Sequence, residues 1–108
     1  MATTADLEFM QQGAARAAAL LRAAALLRAV GNEHRLLVLC LLIEQGEASV
    51  GTLLEQVRLS QSALSQHLAR MRDEGLVTFR RDAQTLYYRI ADPAAEKLVA
   101  ALKDIFCP

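Results

Sequence analysis

The sequence predicts a mainly α-helical fold carrying one small β-hairpin, and three observations predict it. Apolar residues recur at helical spacing in five segments, and Gly31, Gly46 and Gly75 stand where helices must stop. Two of those segments, Val50–Val57 and Ser60–Glu74, are separated by only Arg58-Leu59, the short join of a helix-turn-helix. Directly after Gly75 the apolar period changes from helical to two, as a strand pair requires. The expected order is therefore four helices, two strands and a fifth helix, a winged helix-turn-helix in one domain spanning 1–108. The helix-turn-helix occupies 49–75 and the wing 76–90.

The first helix is expected over Ala5–Val30, rich in Ala and Leu and weakest at Gly13. Its repeated RAAALL, between Arg16 and Leu27, is helix-favouring low complexity, too brief for a solenoid. Leu20, Leu21, Leu26 and Leu27 cover a wide arc, more apolar surface than a terminal helix on a small monomer needs, so a subunit interface is expected there. A membrane span is not expected, because Arg16, Arg22 and Arg28 would each cost about 2.5–3.5 kcal/mol at a bilayer centre. The stretch MATTADLEF has neither a basic n-region nor a cleavage site after an apolar run, so a cytoplasmic location is expected.

Asn32 can cap the second helix, Glu33–Gln45, where Leu36, Leu37, Leu39, Leu42 and Ile43 should be buried with Cys40 among them. Ser49 can cap the short third helix, which turns Leu53, Leu54 and Val57 inward. In the fourth helix Ser60 stands at the N-cap, and Leu64, Leu68 and Met71 form one apolar stripe. The leading half of its remaining surface holds Gln61, Ser62, Ser65 and Gln66, uncharged groups that can donate and accept at base edges in a major groove. Arg70 and Arg72 come later, where phosphate contact is the natural use of a guanidinium. Glutamine pairs best with adenine, so two-fold operator half-sites with A·T pairs at the contacted positions are expected.

In the hairpin Val77 and Phe79 alternate with Thr78 and Arg80, while Leu86, Tyr88 and Ile90 alternate with Tyr87 and Arg89. The bend is expected at Asp82-Ala83-Gln84, with Arg80, Arg81 and Gln84 at the tip and available to the DNA backbone or minor groove. Pro93 opens the last helix, Ala94–Phe106, which carries Leu98, Val99, Leu102, Ile105 and Phe106 and is followed by Cys107. With the first helix it is expected to make a homodimer, since one recognition helix alone would bind poorly.

Charge placement agrees with a DNA face. Formal net charge over the 108 residues is zero, yet Arg58–Arg89 holds six arginines against Asp73, Glu74 and Asp82. With 54% apolar residues the chain has material for one modest core. Its two cysteines, in a reducing compartment, are poor candidates for a permanent disulfide. No catalytic constellation is evident, because His34 lies six residues from Cys40 and so on a different helix face.

The segments SQSALSQHLARMRDEGLV and RRDAQTLYYRI together resemble the ArsR-type winged-helix repressors, from about Arg28 to the last helix. The core of the match is Ser62, Ser65, His67 and Leu68, followed by the R-x-D-A-Q-x-x-Y-Y wing. The resemblance implies a homodimer of five-helix chains that leaves its operator when an inducer is sensed. It also leaves two roles open for His67, contact with DNA or capping of the core beneath the wing. Relatives that hold metal in a thiolate cluster carry E-L-C-V-C-D where this chain has Glu47-Ala48-Ser49-Val50-Gly51-Thr52, and Asp92–Pro108 contains no histidine for the other common site. No metal or other cofactor is therefore expected. Cys40 and Cys107 instead match the dithiol branch, the SqrR- and BigR-type regulators, in which two thiols are bridged by a disulfide or polysulfide in response to reactive sulfur species or oxidants. The alternatives are a metal-responsive regulator and a winged helix without thiol sensing.

Overall fold

Each helix begins beside a side chain that accepts a first-turn amide, which is why the boundaries fall where they do. The computed structural model describes residues 3–107. Thr3 accepts from the Asp6 amide ahead of α1 (Thr4–Val30), with Asp6 reciprocating in a capping box. Asn32 accepts from His34 and Arg35 ahead of α2 (Glu33–Gln45). Ser49 accepts from Thr52 ahead of α3 (Val50–Gln56), and Ser60 from Ala63 ahead of α4 (Gln61–Asp73). Asp92 does the same for α5 (Pro93–Phe106), a cap not anticipated from the sequence.

Gly75 ends α4 by geometry as well as by entropy. Its φ of 79° lies in the left-handed region, letting its amide donate to the Arg72 carbonyl and the Leu76 amide to Met71. This Schellman closure turns the chain directly into the wing.

The wing is β2 (Val77–Asp82) paired antiparallel with β3 (Thr85–Ile90), with Phe79 opposite Tyr88 and Arg80 opposite Tyr87. The turn is tighter than expected: Asp82 still pairs with Thr85, leaving Ala83-Gln84 as the two-residue bend, and Ala83 takes a φ of 56°. A third strand, β1 (Ala48–Ser49), completes the sheet in the order β1-β3-β2. Two residues are too few to show a period of two, so the sequence pattern did not reveal it.

The core lies beneath α4, where Leu39, Leu42, Leu53, Leu64, Leu68 and Met71 are fully buried. Each such side chain contributes about 1.5–3 kcal/mol relative to exposure. Leu37, expected inside, is 40% exposed, because the buried stripe of α2 runs through Arg35, Val38, Leu39 and Leu42. α2 and α5 pack together, tied by Lys103 Nζ to Glu44 Oε1 at 3.0 Å. No described helix is long and apolar enough to cross a membrane.

Most of α1 stands apart from this body, and only its last turns pack on it. Only Ala29 and Val30 at its end are buried, while Phe9, Met10, Leu20, Leu21 and Leu27 are exposed. The Cα radius of gyration is 17.9 Å. A compact chain of this length would have about 13 Å.

Candidate functional site

The stripe Leu64, Leu68 and Met71 fixes which way α4 faces, and with it the direction of every other side chain on the helix. Gln61, Ser62, Ser65 and Gln66 are all exposed on the outer side, as is Arg70 one turn later. The helix stands as a ridge between two grooves, each about 480 Å³. One is shared by Gln61 and Ser65 with Gln84 of the wing, bringing together three residues that the sequence pattern had proposed separately. The other lies along Gln66, His67, Arg70 and Asp73.

His67 faces that second groove from the flank of the buried stripe, toward α2 and away from the wing. Its Nδ1 accepts a 3.4 Å hydrogen bond from Arg35 Nε, and its ring centre is 6.0 Å from that of His34. Burial is the first cause that holds its pKa below the ordinary histidine value; the charges of Arg35, His34 and Arg70 push the same way.

The wing arginines are unequal. Arg80, expected at the tip, lies within β2 and forks onto Glu47 with contacts of 3.1 and 2.6 Å, while its guanidinium sits 4.5 Å from the Tyr87 ring centre. That pair holds the Glu47 carboxyl below its ordinary pKa, chiefly through the hydrogen bond from Arg80. Arg81 projects on the opposite face of the strand and is exposed, with no ion-pair partner among the described residues. Arg72 is turned onto the wing, 5.2 Å from the Phe79 ring centre, and so braces helix against hairpin.

The two cysteines, 67 positions apart in the chain, are brought near each other, Cys40 in the middle of α2 and Cys107 just after α5. Glu44 and Lys103 are in contact, Cys40 lies one turn before Glu44 and Cys107 one turn after Lys103, and Cys107 is near enough for its charge to act on Cys40. Both are free thiols, Cys40 half-buried and Cys107 exposed. Burial raises the Cys40 pKa first, the neighbouring Cys107 second and Glu44 third, with Lys103 opposing.

Residues 32–78 match the profile described as bacterial regulatory protein, arsR family. The HTH-type transcriptional regulator YgaV of Escherichia coli K12 is 46% identical over 103 residues, covering 95% of this chain and 98% of that one. This chain belongs to the arsR family.

Other arsR-family relatives agree across nearly the whole length. The transcriptional activator HlyU of Vibrio cholerae is 41% identical over 102 residues, 94% of this chain and 88% of that protein. The solved structure of the transcriptional repressor BigR from Xylella fastidiosa is 38% identical, superposes with a TM-score of 0.75, and covers 94% of this chain and 96% of its own. ArsR-family regulators bind operator DNA, typically as dimers, and they are regulators rather than enzymes. Among the described residues no three of His, Cys, Asp and Glu converge as a metal ion would require.

Sequence reasoning missed two residues at this site. Arg35 is 8% exposed and donates from α2 to the Ala29 carbonyl at the end of α1 and to His67 on α4. Its signal was present, since Arg35, Val38, Leu39 and Leu42 follow the i, i+3, i+4, i+7 spacing of a buried stripe. Glu47, which occupies Arg80, had no local signal at all.

Proposed function

We propose that this arsR-family regulator is a homodimeric, operator-binding repressor that releases DNA when Cys40 and Cys107 are bridged in response to reactive sulfur species or oxidants. The observation that supports the reading is the nearness of the two thiols across α2 and α5, each one turn from a partner in the Glu44–Lys103 contact. Gln61, Ser62, Ser65 and Gln66 read base edges in A·T-containing half-sites, while Arg70, Arg81 and Gln84 contact the backbone and His67 and Arg80 support them from the flanks. Dimerisation through α1 and α5 is supported by the exposed apolar residues of both, Ile105 and Phe106 included, and by the extended shape of the single chain.

The chemistry balances with a persulfide as oxidant. The exposed Cys107 thiolate attacks the outer sulfur of RS–SH, releasing RS⁻ and leaving Cys107 as a persulfide. The Cys40 thiolate then attacks the Cys107 Sγ, forming the disulfide and expelling HS⁻. Two protons leave with the products, and two thiols have been oxidised at the expense of one sulfane sulfur. If both cysteines are first converted to persulfides, the same attack by the Cys40 persulfide anion gives a trisulfide and one HS⁻. Closure draws in the end of α5, where Ile105 and Phe106 are exposed, and so changes the spacing of the two reading helices in the dimer.

Anisotropy titrations of operator DNA with reduced protein, persulfide-treated protein and Cys40→Ser test this. Treatment should weaken binding by the wild type by roughly 5- to 150-fold, the range of ordinary allosteric coupling, and leave Cys40→Ser unchanged. Mass spectrometry should show both free thiols consumed in the wild type. Equal loss of binding in wild type and Cys40→Ser overturns the thiol mechanism. Because one relative is described as an activator and another as a repressor, a promoter-reporter assay fixes the sign of the output.

A further inference from the structure

A cleft of about 610 Å³ touches neither the thiol pair nor the base-reading side chains. It lies where the second half of α1 passes over the start of α2, the end of α4 and the residue before α5. Four arginines line it, Arg22 and Arg28 from α1, Arg35 from α2 and Arg70 from α4, together with the acidic Glu74 and Asp92. Asp92 is already committed, accepting the Ala94 amide at 2.8 Å as the cap of α5. Glu74 is 3.9 Å from Arg35. Among the described residues Arg22, Arg28 and Arg70 have no carboxylate within ion-pair distance.

Arg35 adds an independent indication. Its side chain is only 9% exposed, yet its hydrogen bonds are both long, 3.4 Å to His67 and 3.4 Å to the Ala29 carbonyl. Five N–H donors are available on a guanidinium, so most of its capacity is unused. Charged groups this deeply buried favour a compact counter-charge, and like charges around one cleft favour it further. The floor, by contrast, is apolar: Ala25, Leu26, Ala29 and Leu76.

We propose that this cleft binds a small organic anion, with a carboxylate or phosphate head among the arginines and an apolar body on the Leu26–Leu76 floor. The volume suits it, since small-molecule sites run to about 300–1,000 Å³. Because Arg22 and Arg28 belong to α1 and Arg70 to the reading helix, the bound anion joins the two and acts as an effector of operator affinity. The effector role rests on the DNA-binding reading above; the binding itself does not.

Calorimetric titration of the full-length reduced protein, without DNA, tests the site. Octanoate is the probe, 1-octanol its uncharged counterpart and inorganic phosphate a bare anionic head. One octanoate should bind per chain, at least about tenfold more tightly than octanol or phosphate. The double variant Arg22→Gln, Arg28→Gln should lose roughly tenfold in octanoate affinity with its circular dichroism, sedimentation and operator affinity unchanged. Octanol binding as tightly as octanoate, phosphate binding as tightly as octanoate, or an undiminished affinity in the double variant overturns the proposal. So does an absence of binding to the wild type, the result expected if a second copy of the chain fills the cleft. In a separate arm, saturating octanoate should shift the operator Kd by about fivefold or more; no shift overturns the effector role. Failure of the ligand-free protein to bind any operator would instead count against the DNA-binding reading alone.

Discussion

α4 and α1 each begin at a hydroxyl side chain that caps the first turn, yet α4 buries Leu64, Leu68 and Met71 while 27-residue α1 buries only Ala29 and Val30. The apolar residues of α4 lie on one stripe, and the core of the same chain covers them. Those of α1 cover a wide arc: Leu20 and Leu27 share one side, Met10 and Leu21 lie about 100° away, and Arg16, Arg22 and Arg28 are spread around the helix at about 120° intervals. Phe9, Met10, Leu20, Leu21 and Leu27 of this helix remain exposed. The packing of α4 is thus complete within one chain, whereas the exposed apolar residues of α1 support the proposed dimer.

Substitutions on the two helices should separate these roles. Leu68→Ala, at a position with no exposure, should cost about 2–5 kcal/mol in urea denaturation, independent of protein concentration beyond the dimer's own dependence. Leu21→Ser, at a position 71% exposed, should leave the fold of the chain intact while weakening self-association by roughly tenfold in sedimentation equilibrium. If Leu21→Ser instead unfolds the chain at every concentration, the contrast between the helices is wrong.

The caps sharpen the same contrast at smaller scale. Ser60→Ala should cost about 1 kcal/mol, because the first turn it closes is coupled to the core through Leu64. Thr3→Ala removes an equivalent hydrogen bond from a turn with no buried residue, and its effect on global unfolding should be too small to measure.

The smallest expected effect is on pH dependence. His67 has a folded pKa below its unfolded value, so between the two the unfolded chain holds more protons and stability rises with pH. Its contribution is complete above the ordinary histidine pKa, about 6.5, and is lost as pH falls through the lowered one. The stability advantage of wild type over His67→Gln should therefore shrink from about pH 7.5 to about pH 5.5. A constant difference would mean that the ring is not shielded as its contact with Arg35 implies.

How far the sequence reached depended on how local each cause was. Asn32, Ser49, Ser60 and Gly75 act within four residues of themselves, and each lies at the helix end where its chemistry placed it. The period change after Gly75 located the wing to within a residue, and the apolar alternation in it set Phe79 and Tyr88 on the core face and Arg80 and Tyr87 on the other. The polar leading half of α4 was equally plain, because the stripe that fixes its direction is in the same thirteen residues.

What only the tertiary structure decided are the meetings of residues far apart in the chain. Arg80 with Glu47, Arg35 with His67, the arginines around the α1 cleft and the nearness of Cys107 to Cys40 all depend on how whole elements dock. Periodicity tells a helix which side to bury, but it carries no register between two helices. That register comes from contacts such as Glu44 with Lys103, which form only once α2 and α5 lie side by side. The sequence by itself therefore determined the helix-turn-helix, its caps and its wing, whereas the distance between the two thiols belongs to the folded chain.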